Sequence, residues 1–144
     1  MERYLYSEIA SAVAARRNCI QDLERLLHSV PNNNETITFR QDWIDKHEER
    51  IESLVSEHMP SGSGFDSGTK LDLDASHADK LVFTTSFHHM DEMGGYDGWT
   101  EHTVVVTPSF VGGFNMRISG RNRNDIKEYI GTEFHYALNQ EVAK

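Results

Sequence analysis

The 144-residue sequence contains one cysteine, three prolines and no long apolar run. Because Cys19 is alone, no disulfide forms within the chain, and a reducing compartment such as the cytoplasm is the expected setting. The apolar runs fall well short of the ~18 residues that a membrane-spanning helix needs. The N-terminus lacks the basic and then apolar profile of a secretory signal. These absences favour a single globular domain that acts in the cytoplasm without contacting a membrane.

Positive charge is also scarce, and it is unevenly placed. The chain has 14 Lys and Arg against 23 Asp and Glu, for a net charge of -9. Residues 31–60 carry three basic and seven acidic residues, residues 61–111 carry two and eight, and residues 112–144 carry five and four. The acidic middle repels phosphates and disfavours unspecific binding to nucleic acid or an anionic membrane. The C-terminal segment, residues 112–144, has no such excess of negative charge and does not repel phosphates in this way.

Residues 1–59 are predicted to form a helical hairpin. Apolar side chains from Leu5 onward recur three, four or seven positions apart until Pro31 ends the pattern. A second helix is expected at residues 36–58, with a nearly heptad apolar stripe that begins at Trp43. Two helices joined by so short a connection fold back on each other. The second stripe offers more apolar surface than one subunit needs, which predicts a homo-oligomer, most simply a dimer.

Residues 60–79 are predicted to be a Gly/Ser-rich joint. The stretch "PSGSGFDSGT" has three glycines and three serines in ten residues, a composition that sustains neither helix nor strand. A loop that cradles an anion is the alternative interpretation. The Gly-Lys-Ser/Thr ending of a phosphate-binding loop is absent, so a linker is favoured.

Residues 80–144 are predicted to form a β-meander and a C-terminal helix, because the apolar period changes from 3.6 to 2 and then returns. Strands are expected at residues 81–88, 100–107 and 114–119, and the helix at residues 125–140. The fold class is therefore α+β: an N-terminal helical hairpin, then a three-stranded antiparallel meander with the C-terminal helix packed on one face. The side chains expected to meet under that helix are Phe83, Phe87, Val104, Val106, Met116, Ile118, Ile130 and Phe134.

The opposite face of the predicted sheet is polar but hardly charged. By strand alternation it carries Thr84, Ser86, His88, Thr103, Val105, Thr107, Asn115 and Arg117. A freely solvated face typically has more lysine and glutamate. Either the N-terminal helices or a partner is expected to cover part of it.

The stretch "RISGRNRNDIKEY" gathers positive charge at the start of the last helix. Arg117, Arg121 and Arg123 precede that start, and Lys127 follows it. A helix N-terminus offers unpaired N–H groups, and guanidinium groups add charge-assisted bonds to phosphate or carboxylate. These four residues form a candidate site for an anion or an acidic partner. The alternative is a solvated turn whose arginines pair with nearby carboxylates.

Other candidate residues surround the first predicted hairpin. Trp99 lies at its mouth, either as an anchor for a protein contact or folded over the sheet end. His88, Asp91 and His102 are candidate metal ligands, since imidazole and carboxylate suit zinc. No HExxH or CxxC motif supports them, no Gly-x-Ser-x-Gly elbow is present, and Cys19 lies in a core stripe. The sequence therefore predicts no cofactor, no metal and no enzyme activity.

Three stretches resemble, as a set, small bacteriophage-encoded proteins. They are "SGSGFDSG", "TSFHHMDEMGGYDGWTEHTVVVTPSF" and "ISGRNRNDIKEYI", and the resemblance covers residues 60–138. It implies a phage origin and action in the cytoplasm of the bacterial host. Many small acidic phage proteins block host defences, some by occluding a CRISPR nuclease and others by sequestering a nucleotide signal.

The order of elements from the second helix onward, α-β-β-β-α, is similar to that of a double-stranded-RNA-binding domain. In that family, basic residues at the start of the last helix contact phosphates. Arg121, Arg123 and Lys127 occupy the comparable place. The consecutive lysines of the family are missing, and two acidic residues, Asp125 and Glu128, lie among the basic ones.

These observations together predict a non-enzymatic phage accessory protein that inhibits a bacterial defence system, as an anti-CRISPR does, by binding a host protein such as a nuclease or defence effector. In one mode, the acidic helices present a charge surface like that of nucleic acid to a basic partner. In the other, the arginine cluster and the polar sheet face hold a phosphorylated nucleotide or RNA. A metal-dependent hydrolase is a further alternative.

Overall fold

The computed structural model describes residues 4–29, 34–60, 65–90, 96–120 and 124–142, with the backbone alone at residues 66, 67, 87–90, 96–99, 120 and 124–126. The described elements are α1 (Leu5–Ser29), α2 (Asn34–His58), β1 (Phe65–Leu71), β2 (Leu81–Met90), β3 (Tyr96–Pro108), β4 (Phe114–Gly120) and α3 (Asn124–Leu138). The strands form one antiparallel sheet in chain order, β1-β2-β3-β4. The α+β class, the two N-terminal helices, the antiparallel sheet and the C-terminal helix are confirmed. No described helix is long and apolar enough to cross a membrane.

The predicted three-stranded meander is wrong by one strand. Residues 65–71, which composition assigned to the joint, pair with β2 as β1. Phe65 and Thr69 are buried and Leu71 packs against the core, so this segment contributes side chains to the helix side of the sheet. The pairing is irregular between Phe65 and Thr69, where Gly68 has a φ of 76°. A glycine at a bulge belongs to the strand rather than ending it, and a count of glycines and serines cannot distinguish the two.

The extra strand also changes the comparison with the double-stranded-RNA-binding domain. From α2 onward the order is α-β-β-β-β-α. The similarity of element order predicted from three strands is therefore wrong.

α1 and α2 form the predicted antiparallel hairpin, and ion pairs fix its register. The Arg16 side chain donates from Nε to Glu48 Oε1 at 2.9 Å. Arg40 lies 3.6 Å from Asp22. Later positions in α1 thus contact earlier positions in α2, as expected when two helices run in opposite directions.

The core lies between the helices and one face of the sheet. Helix α3 crosses this face, where the rings of Phe83 and Phe134 meet edge to face with centroids 5.7 Å apart. The predicted contacts under α3 are confirmed for Phe83, Val104, Val106, Ile130 and Phe134, which are buried in one cluster, and for Met116 and Ile118, which pack against it. The side chain of Phe87 lies outside the described part. Both N-terminal helices join the same cluster through Leu5, Ile9, Ala12, Val13, Ile51, Val55 and Met59.

Tyr6 links the start of α1 to the sheet and supplies a test of this packing at high pH. Its ring stacks on Phe114 with centroids 5.1 Å apart. Burial, and secondarily the carboxylate of Asp79, raises the pKa of the Tyr6 phenol. The folded state therefore holds this proton more tightly than the unfolded state does.

We expect Tyr6→Phe to reduce the loss of stability at alkaline pH. The Tyr6 phenol contributes to the free energy of unfolding. This contribution is fully present below the pKa of about 10 that the phenol has in the unfolded state, and it is lost as pH rises through the higher pKa of the folded state. Phenylalanine keeps the stacking and has no proton to lose. Between about pH 8 and about pH 11, the urea unfolding midpoint should fall less in the variant than in the parent protein. An equal fall in both proteins would contradict the burial of this phenol.

Candidate binding surfaces

A stripe of carboxylates runs along the solvent side of α2. It consists of Glu35, Asp42, Asp45, Glu49 and Glu52, all exposed. These positions are separated by seven residues or by three and four, so they lie on one face of the helix. At about 1.5 Å per residue the stripe is roughly 25 Å long. We refer to these five residues as the acidic stripe.

The acidic stripe is not neutralised within the described part of the chain. None of its members forms an ion pair with a described residue, and Asp45 only accepts a hydrogen bond from Gln41 Nε2 at 3.3 Å. The neighbouring Glu48 is different, because its charge is matched by Arg16. The apolar side of α2, with Ile44, Ile51 and Val55 buried, fixes the direction in which the stripe faces.

Two aromatic side chains lie beside the acidic stripe in the first half of α2. Phe39 is 57% exposed and Trp43 is 41% exposed, and their rings meet edge to face at 6.3 Å. Lys46 Nζ lies 5.1 Å from the centre of the Trp43 ring, a cation–π contact. Leu27 at the end of α1 is also exposed. Exposed aromatic side chains beside charge are typical of the anchors that carry protein–protein affinity.

Part of the sheet face opposite the helices is open to solvent, while Val82 on the same face is buried. Thr84, Asn115 and Arg117 are exposed there, and Thr103 and Val105 are half-buried. The strand register aligns Val105 with Arg117 and Thr103 with Thr84, so these polar side chains form rows across the sheet. Of the two covers that were expected, the N-terminal helices are excluded for the described residues, since both helices pack on the other face, and cover by a partner stays a prediction.

The described members of the predicted arginine cluster lie on different sides of the sheet. Arg117 is exposed on the open face of β4, whereas Lys127 of α3 lines a groove on the helix side with Met116 and Ile118. Arg121 and Arg123 lie outside the described residues. Any site formed by Arg117 and Lys127 must therefore extend around the edge of β4.

The predicted metal ligands are placed only in part. His102 is buried on the helix side of β3, and its Nε2 is 2.7 Å from Thr100 Oγ1. The backbone of His88 lies in β2 opposite Trp99 of β3, while Asp91 and the side chains of His88 and Trp99 lie outside the described part. Among described side chains, no group of three His, Cys, Asp or Glu is arranged to hold a metal ion.

A groove of about 620 Å³ lies between β4 and α3, and sequence analysis did not identify it. Its floor is apolar, with Met116 and Ile118 from β4 and Gly131 from α3. A Cβ atom at Gly131 would lie only 3.1 Å from Ile118 Cδ1, so glycine allows the helix to approach the strand. Two sequence features could have indicated this groove. β4 is the last strand of the predicted meander, and Gly131 interrupts the helical pattern of α3. The remaining lining residues are Lys127, Glu128, Thr132, His135 and Tyr136.

Comparison with known proteins adds no relative: no family model, curated protein or solved structure matches the chain.

Proposed function

We propose that this protein is a non-catalytic phage accessory protein that inhibits a bacterial defence system by binding a basic host protein. The observation that carries the proposal is the acidic stripe, a row of exposed carboxylates along α2 that form no ion pair with a described residue. The phage origin rests on the sequence resemblance over residues 60–138. A basic nuclease or defence effector is the partner class that matches this charge.

The physical argument is that the stripe imitates the charge of a nucleic acid. Exposed like charges spaced along about 25 Å create a negative potential that attracts a basic groove and speeds association. Such a surface competes with the nucleic acid that the groove normally holds. Phe39 and Trp43 lie beside the stripe and supply apolar area, which charge alone does not provide.

The proposal is tested by neutralising four members of the stripe. The variant Asp42→Asn, Asp45→Asn, Glu49→Gln and Glu52→Gln is expected to weaken binding to the host partner about 30-fold, because each exposed charge contributes about 0.5 kcal/mol. The partner is first isolated with the parent protein from host lysate and identified by mass spectrometry. Affinity is then measured by calorimetry at two salt concentrations. The salt dependence should be smaller for the variant.

The matched control removes four exposed carboxylates elsewhere. The variant Asp74→Asn, Asp79→Asn, Glu101→Gln and Glu128→Gln changes the net charge by the same amount, and these side chains are exposed on other surfaces. Its affinity should stay within about threefold of the parent protein. Equal losses in both variants would show that net charge, rather than the acidic stripe, decides binding.

The alternative of a phosphorylated nucleotide or RNA ligand predicts a different result. In that case Arg121→Ala with Arg123→Ala abolishes ligand binding, and the stripe variant binds normally. Mass spectrometry of small molecules that co-purify with the parent protein decides between the two ligands.

A further inference from the structure

Within the described part of the chain, β4 is an edge strand of the sheet, and its geometry suits the addition of another strand. The β3–β4 pairing is continuous from His102 and Gly120 to Pro108 and Phe114, without a register shift. The other edge strand, β1, is interrupted at Gly68. Bulges, prolines and inward-pointing charges are the usual devices that prevent strand addition at an edge. β4 has no proline and no bulge along this pairing.

The direction of the backbone groups on β4 follows from the hydrogen bond at its turn. Ser109 donates its N–H to Gly113 O at 3.2 Å, and the same register continues through Asn115, Arg117 and Ser119. Hydrogen-bonded and open pairs alternate in an antiparallel ladder. Met116 and Ile118 therefore occupy open pairs, and their N–H and C=O groups point away from β3. No described residue forms a backbone hydrogen bond with these outward groups.

The two sides of this edge differ in chemistry. Side chains of an added strand that lie beside Met116 and Ile118 would enter the groove below α3, whose floor is apolar. The side chain between them would lie on the open face next to Arg117, at the spacing of a cross-strand pair. An added strand with alternating apolar and acidic residues fits both sides.

The positive charge of Arg117 indicates that the added strand should carry acidic residues. Arg117 makes no ion pair or side-chain hydrogen bond with a described residue. The other described arginines, Arg16, Arg17, Arg25, Arg40 and Arg50, each contact a carboxylate or a carbonyl oxygen. In a chain with a surplus of carboxylates, an arginine that has no partner among the described residues and lies on an edge strand complements a carboxylate from outside.

We propose that the β4 edge and the groove below α3 bind an extended peptide segment of a partner protein, in which apolar and acidic residues alternate. This surface is separate from the acidic stripe and goes beyond the proposed function. A second copy of the chain fits less well, because full-length antiparallel pairing of two β4 strands places Arg117 opposite the same residue of the copy.

The test uses the full-length protein and a short synthetic peptide that alternates valine and glutamate. In the free protein, the Met116 and Ile118 amides should exchange with solvent fast, while those of Asn115, Arg117 and Ser119 exchange slowly. The peptide should protect the first set and shift the NMR signals of β4 and α3. A peptide with lysine in place of glutamate, and one with all valines before all glutamates, are the controls and should bind at least tenfold more weakly.

Two variants connect the result to the geometry. Arg117→Glu should weaken the valine–glutamate peptide about tenfold and should favour the lysine peptide. Gly131→Ala should weaken the valine–glutamate peptide, because its Cβ, 3.1 Å from Ile118 Cδ1, requires the Ile118 side chain beside the groove to shift. Amide exchange of Asn115, Arg117 and Ser119 in the free variant checks that the β3–β4 pairing is kept.

Several outcomes would overturn the proposal. One is the absence of shifts in β4 and α3 at millimolar peptide, and another is equal binding of the block peptide. A third is protection of Met116 and Ile118 that rises with protein concentration alone, which would place a second copy on this edge. None of these outcomes depends on the acidic stripe, so the proposed function is tested separately.

Discussion

Phe65→Ala is expected to destabilise the protein by about 3–5 kcal/mol. Phe65 is 2% exposed, belongs to the core cluster and stacks on Tyr129 with ring centroids 6.0 Å apart. Its removal leaves a cavity between β1 and the helices. Since a domain of this size is stable by about 5–15 kcal/mol, the loss is large enough to read from urea unfolding at neutral pH.

Phe110→Ala is the matched control for that substitution. Phe110 lies at the tip of the β3–β4 turn and is fully exposed, so its replacement should change stability by less than about 0.5 kcal/mol. If Phe65→Ala were equally mild, residues 60–79 would behave as the linker that their composition predicted, and β1 would carry no part of the core.

Phe134→Ala should cost a similar amount, about 3–5 kcal/mol, at the centre of the interface between α3 and the sheet. The Phe134 side chain is completely buried and contacts Phe83 edge to face. Tyr136, two residues later on the same helix, is 78% exposed. Tyr136→Ala should change the free energy of unfolding by less than about 0.5 kcal/mol, and a larger loss would indicate that α3 is rotated about its axis.

A double-mutant cycle isolates the ring contact itself. Phe83→Leu, Phe134→Leu and the double variant keep most of the apolar area and remove the edge-to-face geometry. The coupling energy should be about 0.5–1.5 kcal/mol, the usual range for buried aromatic pairs. Additive losses would contradict a direct contact between the two rings.

The helices were predictable because their apolar side chains have one strong period. Helix α2 was expected at residues 36–58 and spans Asn34–His58, and α3 was expected at residues 125–140 and spans Asn124–Leu138. The apolar stripe of α1 is different, since it continues to Leu27 although that residue is 45% exposed. Periodicity shows which side chains share a helix face, but not whether the neighbouring element is long enough to cover that face.

The fourth strand was not predictable from composition. Among the described side chains of β1, Phe65, Thr69 and Leu71 mark the helix side, and the register of the pairing with β2 shifts between the first and the others. The apolar signal is therefore sparse, because no apolar side chain follows Phe65 until Leu71, six positions later. The strand is stabilised by pairing with β2 and by burial of Phe65, both of which depend on distant residues.

Of the candidate sites, the acidic stripe could be predicted from the sequence, whereas the arrangement of the basic residues and the groove could not. The exposure of the acids in α2 follows directly from the helical period, and the structure shows them on one face. The separation of Arg117 from Lys127 requires the direction of the β4 side chains relative to α3. The groove beside β4 requires the distance between a strand and a helix, which one glycine sets. The glycine is visible in the sequence, but it does not show which element approaches the helix at that position.

Because the described helices all pack on one side of the sheet, the strands divide their side chains between two tasks. Residues such as Val104 and Val106 hold the protein together, while Thr103, Val105, Asn115 and Arg117 have little part in the core. Random mutagenesis confined to the second set should yield mostly folded proteins. A lineage under pressure to recognise changing partners can therefore diversify this face rapidly while its scaffold stays the same.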